Sequence, residues 1–435
     1  MRTSPGYSGL FRTPEFTPLF LSTAAQTAAQ TLGGLALGTQ VFRATGSPLL
    51  AAVSMFGPSL AQVVGATFLL SGADRLPPRA TLTGVAVAFA AGTAVLAAPG
   101  LPVWAVLAVV LAQGLVASLG GGVRWGLLTE ILSKERYLLG RSLFNMTSGL
   151  AQVAGFATGG VLVAVLSPST ALLLAALLYA GAALGLRLGL TARPPRASGR
   201  PSARVTWRAN TLLWSSPARR WVYLALWVPN GLIVGCESLY VSYAPEAAGT
   251  LFACAALGMF AGDVTVGRLL APARRARLGV PLLLLLAGPY LLFCLRPPVP
   301  VAAALVLVAS AGFGASLVQQ ERLVALTPGE LSGHALGLHS AGMLTMQGVS
   351  AALAGALAQL TAPGVAMTAM AAASVAVTGV LARGLRAARE EKSVGEEKSV
   401  GEERGVGEVA AEAVPGGAAA QAAPGSAATD AASAR

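Results

Sequence analysis

Charged residues are scarce in this chain, 11% of its 435 residues, where soluble globular domains carry roughly 25%. Carboxylates are scarcer still where a fold would use them, because nine of the 18 acidic residues lie after position 389. A charged, water-solvated surface is therefore excluded for most of the chain. Cysteine is rare as well. Cys236, Cys254 and Cys294 all sit in apolar runs without CxxC spacing, which excludes a disulfide framework or a thiolate metal site. The two histidines, His334 and His339, are five apart and so off a common helix face, which excludes an i,i+4 metal pair. No metal and no cofactor are expected. GxSxG, HExxH and GxxxxGK[ST] are absent too, so the chain does not read as an enzyme and holds no nucleotide site of its own.

What the sequence does have is hydrophobic length. Apolar runs such as 80–98, 103–123, 168–186 and 301–318 are long enough to cross about 30 Å of hydrocarbon at 1.5 Å per helical residue. The ten-residue alternating segments of a membrane β-barrel do not occur. The chain reads as an all-α polytopic membrane protein of about twelve helices. The expected spans are 17–42, 49–72, 80–98, 103–128, 141–165 and 168–190, then 220–243, 247–270, 279–296, 301–321, 335–359 and 362–386. The expected organisation is a short terminus (1–16), a six-helix bundle (17–190), a basic central loop (191–219), a second bundle (220–389) and a disordered tail (390–435).

The formal net charge of +12 would suit a nucleic-acid partner, but the arginines are segregated by loop. They crowd 193–220, 274–277 and 383–389 and avoid ATGSP (44–48), APGLP (98–102), LSPST (166–170), YAPEA (243–247) and LTAPG (360–364). The positive-inside rule then puts both termini and the central loop in the cytoplasm of a cell-membrane protein, and no nucleic-acid partner is expected. Shifting the chain by 195 residues places Gln152 on Gln347, Gly160 on Gly355 and Pro168 on Pro363, as an internal repeat would. The tail carries EEKSVG twice and then EERGVG, a six-residue period that fits no helix face.

Two short stretches then carry a resemblance. GADRLPPR (72–79) resembles the loop signature G-x-x-x-D-R-x-G-R-R/K of the major facilitator superfamily. Asp74, Arg75 and Arg79 match, while Leu70, Pro77 and Pro78 depart from it. AQVAGFATGG (151–160) resembles the exporter signature G-x-x-x-G-P-x-x-G-G, with Gly155, Gly159 and Gly160 matching and Ala151 and Phe156 departing. Segments 127–162 and 42–49 are similar to the drug/proton antiporter group that includes enterobactin-type exporters. The resemblance implies two six-helix bundles, a gating role for Asp74, Arg75, Arg79 and the later Arg268, and proton-driven export of a small molecule. Small residues at Gly155, Gly159 and Gly160 equally suit plain helix packing.

Charge inside a membrane helix is costly and needs a partner, water or a proton. Glu237, in GLIVGCESLYV (231–241), stands 16 residues past Trp221, roughly 24 Å deeper along a helix. Pro229 and Gly231 precede it and permit a kink. It is the first proton-coupling candidate; the competing reading pairs it with Arg43 or with outer water. Asp263 and Arg124 follow. Asp263 also suits a gate pair with Arg268, and Arg124, near a span end, also suits snorkelling. Span 1 places Thr23, Gln26, Thr27 and Gln30 on one face. Gln62, Asn145, Gln152, Asn230, His339 and Gln347 add further polar groups inside spans, and either substrate contact or helix–helix bonding would use them.

The expected function is secondary active transport: a monomer in the lipid bilayer that exchanges protons for a small organic substrate by alternating access. An uncoupled facilitator or importer is the alternative. A membrane scaffold or sensor working through the tail is a third reading.

Overall fold

A computed structural model describes residues 9–73, 76–194, 203–275, 277–328 and 331–384. Asp74 and Arg75 of the loop signature and the tail 390–435 lie outside the described residues. The first half is six long helices: α1 (Phe16–Thr45), α2 (Pro48–Ala73), α3 (Pro78–Leu96), α4 (Val103–Ile131), α5 (Lys134–Val165) and α6 (Pro168–Gly189). Proline opens α3 and α6 at the first turn, where its missing N–H costs nothing. Gly46 ends α1 in the left-handed region, with its N–H bonded to the Phe42 carbonyl.

The segment 191–219, expected as a loop, contains an additional helix, α7 (Ala203–Ser215). The second half is more interrupted. α8 (Pro217–Glu237) stops at Glu237 and resumes for one turn as α9 (Tyr240–Tyr243). α10 (Ala248–Val264) widens into a π-turn at Thr265–Leu269. After the single turn α11 (Pro272–Arg275), α12 (Gly279–Ala287) tightens into a 3₁₀ segment, Gly288–Leu295. α13 (Val299–Ala311) passes through a 3₁₀ turn, Gly312–Gly314, into α14 (Ala315–Ala325). α15 (Ser332–Leu360) and α16 (363–384) complete the second bundle.

Among the described residues, ten helical segments are long and apolar enough to cross a membrane, and Gly279–Leu295 is a shorter apolar one. α1 is long enough but falls outside the ten, because Thr23, Gln26, Thr27, Gln30 and Thr31 dilute its hydropathy. With α1 and Gly279–Leu295 the twelve helices of the two-bundle fold are present. This is an all-α polytopic membrane protein, and its exposed large side chains, among them Leu177, Leu188 and Val161, suit lipid.

Within the first half α1 packs on α5 and α6, and α2 on α4; within the second, α8 packs on α15 and α10 on α13. The largest contacts between the halves are α2 to α15 and α5 to α10, with smaller ones from α9 to α1 and α2. The α5–α10 and α2–α15 contacts both come close near the loops 44–48 and 243–247. A side chain at Gly160 would meet the Gly249 backbone 2.7 Å away, and one at Gly355 would meet the Leu49 backbone at 2.7 Å. Further along α5 the approach loosens. Phe156 stacks on Phe252 with centroids 4.7 Å apart, and Gly149 lies 3.9 Å from the Phe260 ring by the same measure. The 195-residue repeat thus places Gly160 and Gly355 at equivalent cross-bundle contacts.

Candidate functional site

The halves enclose a cavity of about 420 Å³, within the range of small-molecule sites. Its wall is unusually rich in amides: Gln30, Gln62, Gln113, Gln152 and Gln347 all reach it. Thr27, Thr31, Thr93, Ser54 and Ser59 add hydroxyls, while Met55, Met259, Met343, Phe56, Phe156, Phe252 and Phe313 supply apolar area. Glu237 is the one charged side chain among the described lining residues.

Glu237 is positioned by the end of α8. Pro229 withholds an N–H from that helix, and its carbonyl accepts from the Ser374 hydroxyl at 3.3 Å. Gly231 and Gly235 let α8 approach Met346 and the Ser350 backbone of α15 closely. The helix then breaks beyond Glu237, where the Ser238 hydroxyl turns back to the Gly235 carbonyl at 2.7 Å. The carboxyl is 5% exposed and its Oε1 has no hydrogen-bond partner among the described residues. No ion pair joins it to Arg43, which is exposed. The hydroxyls of Tyr240 and Tyr290 are bonded to each other in the fully buried core.

The sequence candidates divide around this cavity. Thr27, Gln30, Gln62, Gln152, Gln347 and Glu237 share its wall. Thr23 does not: it is buried, and its hydroxyl donates to the Leu19 carbonyl at 2.8 Å. Gln26 is taken by Arg124, whose guanidinium donates to Gln26 Oε1 at 2.8 Å. Arg124 thus turns inward toward α1 instead of snorkelling, which relieves the guanidinium of some of its burial cost. Asn230 is fully buried, donating to the Leu226 carbonyl at 2.7 Å and to Ser316 Oγ at 3.2 Å. His339 is half-buried off the wall, with Nδ1 unpartnered among the described residues. Asp263 and Arg268 are exposed along α10 and its π-turn, and Arg79 is half-buried at the start of α3. Nothing is described of the Asn145 side chain.

The exporter-like glycines are contact points. A side chain at Gly155 would overlap the Thr31 hydroxyl, and one at Gly159 would press on Leu32 at 3.2 Å, so both seat α5 on α1, while Gly160 seats it on α10. Sequence reasoning missed Gln113, whose Nε2 donates to the Phe89 carbonyl and Thr93 Oγ1, both at 3.2 Å. A glutamine inside the apolar run of α4 was signal enough. It also missed an ionic cluster at the helix ends. Glu15 accepts from Arg193 Nη1 at 2.6 Å, Arg193 Nη2 at 2.9 Å and Thr191 Oγ1 at 2.6 Å, and Glu130 lies 3.9 Å from Arg193. Glu321 pairs with Arg275 at 2.8 Å.

Residues 19–320 match the family model of the Major Facilitator Superfamily. Solved structures of similar fold include a POT family transporter in complex with 5-aminolevulinic acid. It is 12% identical, with TM-score 0.70, covering 88% of this chain and 98% of that one. A POT family transporter in complex with a thioalcohol conjugated peptide is also 12% identical, with TM-score 0.66 and coverage of 84% and 95%. A bacterial homolog of the human lysosomal transporter Spinster, inward-facing and unoccupied, is 14% identical, with TM-score 0.64 and coverage of 88% and 94%. At these identities the likeness is one of fold. No curated protein sequence matches the chain.

Proposed function

The chain belongs to the major facilitator superfamily, and we propose that it is a proton-coupled exporter of a small organic molecule, working as a monomer in a bacterial cell membrane with both termini in the cytoplasm. One observation carries this reading: a lone carboxyl, Glu237, is held without an ion-pair partner among the described residues, on the wall of a cavity whose other described groups are uncharged. An uncompensated buried charge is expensive. Such a group is relieved by a proton, or by a cationic group on a substrate, and the two compete for one site. That competition is what antiport requires: substrate entry from one side displaces the proton, and proton entry from the other displaces substrate.

The cavity wall fits the rest of the cycle. Five glutamines offer uncharged donors and acceptors, and the methionines and aromatic rings take apolar surface of varied shape. Glycine contacts near Gly160 and Gly355 join the bundles at one end. By the arginine distribution that end is the outer one, which makes this an inward-directed arrangement. Alternating access then requires the α5–α10 and α2–α15 contacts to part.

The test uses purified protein in vesicles with a trapped pH-sensitive dye and a panel of lipophilic and siderophore-like compounds. Compound-triggered proton movement is expected. Compound movement without proton movement would favour the uncoupled facilitator and defeat the proposal.

A further inference from the structure

Helix α7 carries chemistry that the transport cycle does not use. No acidic residue occurs between Glu135 and Glu237, so the charge of this region has no compensation within the segment. Leu213 is fully buried and sets the inner face of α7. At 100° per residue, Arg208 lies about 140° from it. Arg208 is exposed, and so is Arg220 at the start of α8. Two large apolar side chains flank these arginines in the open, Leu212 at 54% and Trp214 at 39% exposure.

The helix is 13 residues long, about 20 Å, too short to cross a membrane. Ser216 joins it directly to α8, which begins the spanning segment Pro217–Tyr243. It is therefore tethered at the level where a bilayer's headgroups lie. Arginines beside exposed leucine and tryptophan suit that boundary, where anionic headgroups meet acyl chains.

α7 is also fastened to the bundle. Arg219 donates to three backbone carbonyls: Leu213 at 3.0 Å, Leu212 at 2.8 Å and Leu326, at the end of α14, at 3.1 Å. Trp214 stacks on Tyr223 and Trp227 with centroids 5.8 and 5.6 Å apart, and Trp227 fills the space over Gly342 of α15. Arg219 is consumed internally, while Arg208 and Arg220 stay exposed.

We propose that the α7 face formed by Arg208, Leu212 and Trp214, with Arg220, binds the headgroups of anionic phospholipid in the adjoining leaflet. The bound lipid holds α7 against α8, α14 and α15.

The full chain in neutral detergent, titrated with phosphatidylglycerol or phosphatidylcholine, decides this. Lipid occupancy is read by native mass spectrometry and stability by thermal unfolding. The wild type should prefer phosphatidylglycerol and be stabilised by it, and 1 M salt should remove that preference. Arg208→Gln with Arg220→Gln should weaken phosphatidylglycerol binding on the order of tenfold, with the lipid-free unfolding temperature unchanged. Leu212→Ser should weaken both lipids alike. Should the double variant fail to fold, Arg220→Gln takes its place, with partial loss expected. No lipid preference in the wild type, or an unchanged preference in the arginine variants, would overturn the proposal and leave the face to a soluble partner.

Discussion

Glu15 and Arg193 are 178 positions apart, yet they form a two-pronged ion pair that Thr191 completes. Glu15 is 8% exposed, so the pair ties the entry of α1 to the exit of α6 in a partly dry setting. Removing the guanidinium leaves the carboxylate short of donors. Arg193→Ala should cost about 1–3 kcal/mol, read as a lower unfolding temperature in detergent, and Arg193→Lys should recover part of it. An unchanged unfolding temperature would mean that the pair is solvated. Glu237 was legible in the sequence because a lone carboxylate in an oily run stands out. Glu15–Arg193 and Gln26–Arg124 were not, because a contact between distant positions leaves no local pattern. Span-1 polarity was read correctly as one face, but it divides in use: Thr27 and Gln30 face the cavity, and Thr23 and Gln26 are spent inside the bundle.

The described helices of the first half run unbroken, whereas three in the second half change pitch and α8 is interrupted. The longest departure is the 3₁₀ segment Gly288–Leu295. A 3₁₀ helix eclipses positions i and i+3, and Tyr290 and Phe293 do stack, with centroids 5.3 Å apart. Thr368 of α16 supports the segment, accepting the Cys294 N–H at 2.9 Å and lying 3.3 Å from the Tyr290 and Leu291 carbonyls. Thr368→Val removes that acceptor and should cost about 1 kcal/mol, visible as faster hydrogen exchange confined to 288–295. Hydropathy could not have shown these breaks, because an apolar run looks alike at any helical pitch. It found the spans and missed α7, whose arginines masked its helical period. At the cross-bundle contact, Gly160→Val should wedge α5 from α10, because the side chain meets backbone that cannot rotate away. Spin labels at Ala44 and Glu246 should then report a longer distance than in the wild type. A distance unchanged by the valine would show that the contact yields without opening.

At the scale of the molecule, two bundles meet through glycines at one end and part around a cavity with a single described charge. The twelve-helix plan was legible from run length and loop charge, since a bilayer enforces both. The cavity was half legible. The sequence offered its polar residues but not which ones converge, and α3 and α6 reach the wall through Phe89, Thr93 and Tyr179 without having been expected there. The account rests on Glu237 as the group that makes proton and substrate exclude each other. The most direct measurement compares Glu237→Gln with wild type in vesicles, for a transported compound, in two modes: accumulation driven by a pH gradient, and one-for-one exchange of labelled for unlabelled compound without a gradient. A neutral side chain at position 237 should abolish the first and preserve the second, because the halves still rock around a filled cavity but no proton is carried. Gradient-driven accumulation that survives in Glu237→Gln would contradict the account.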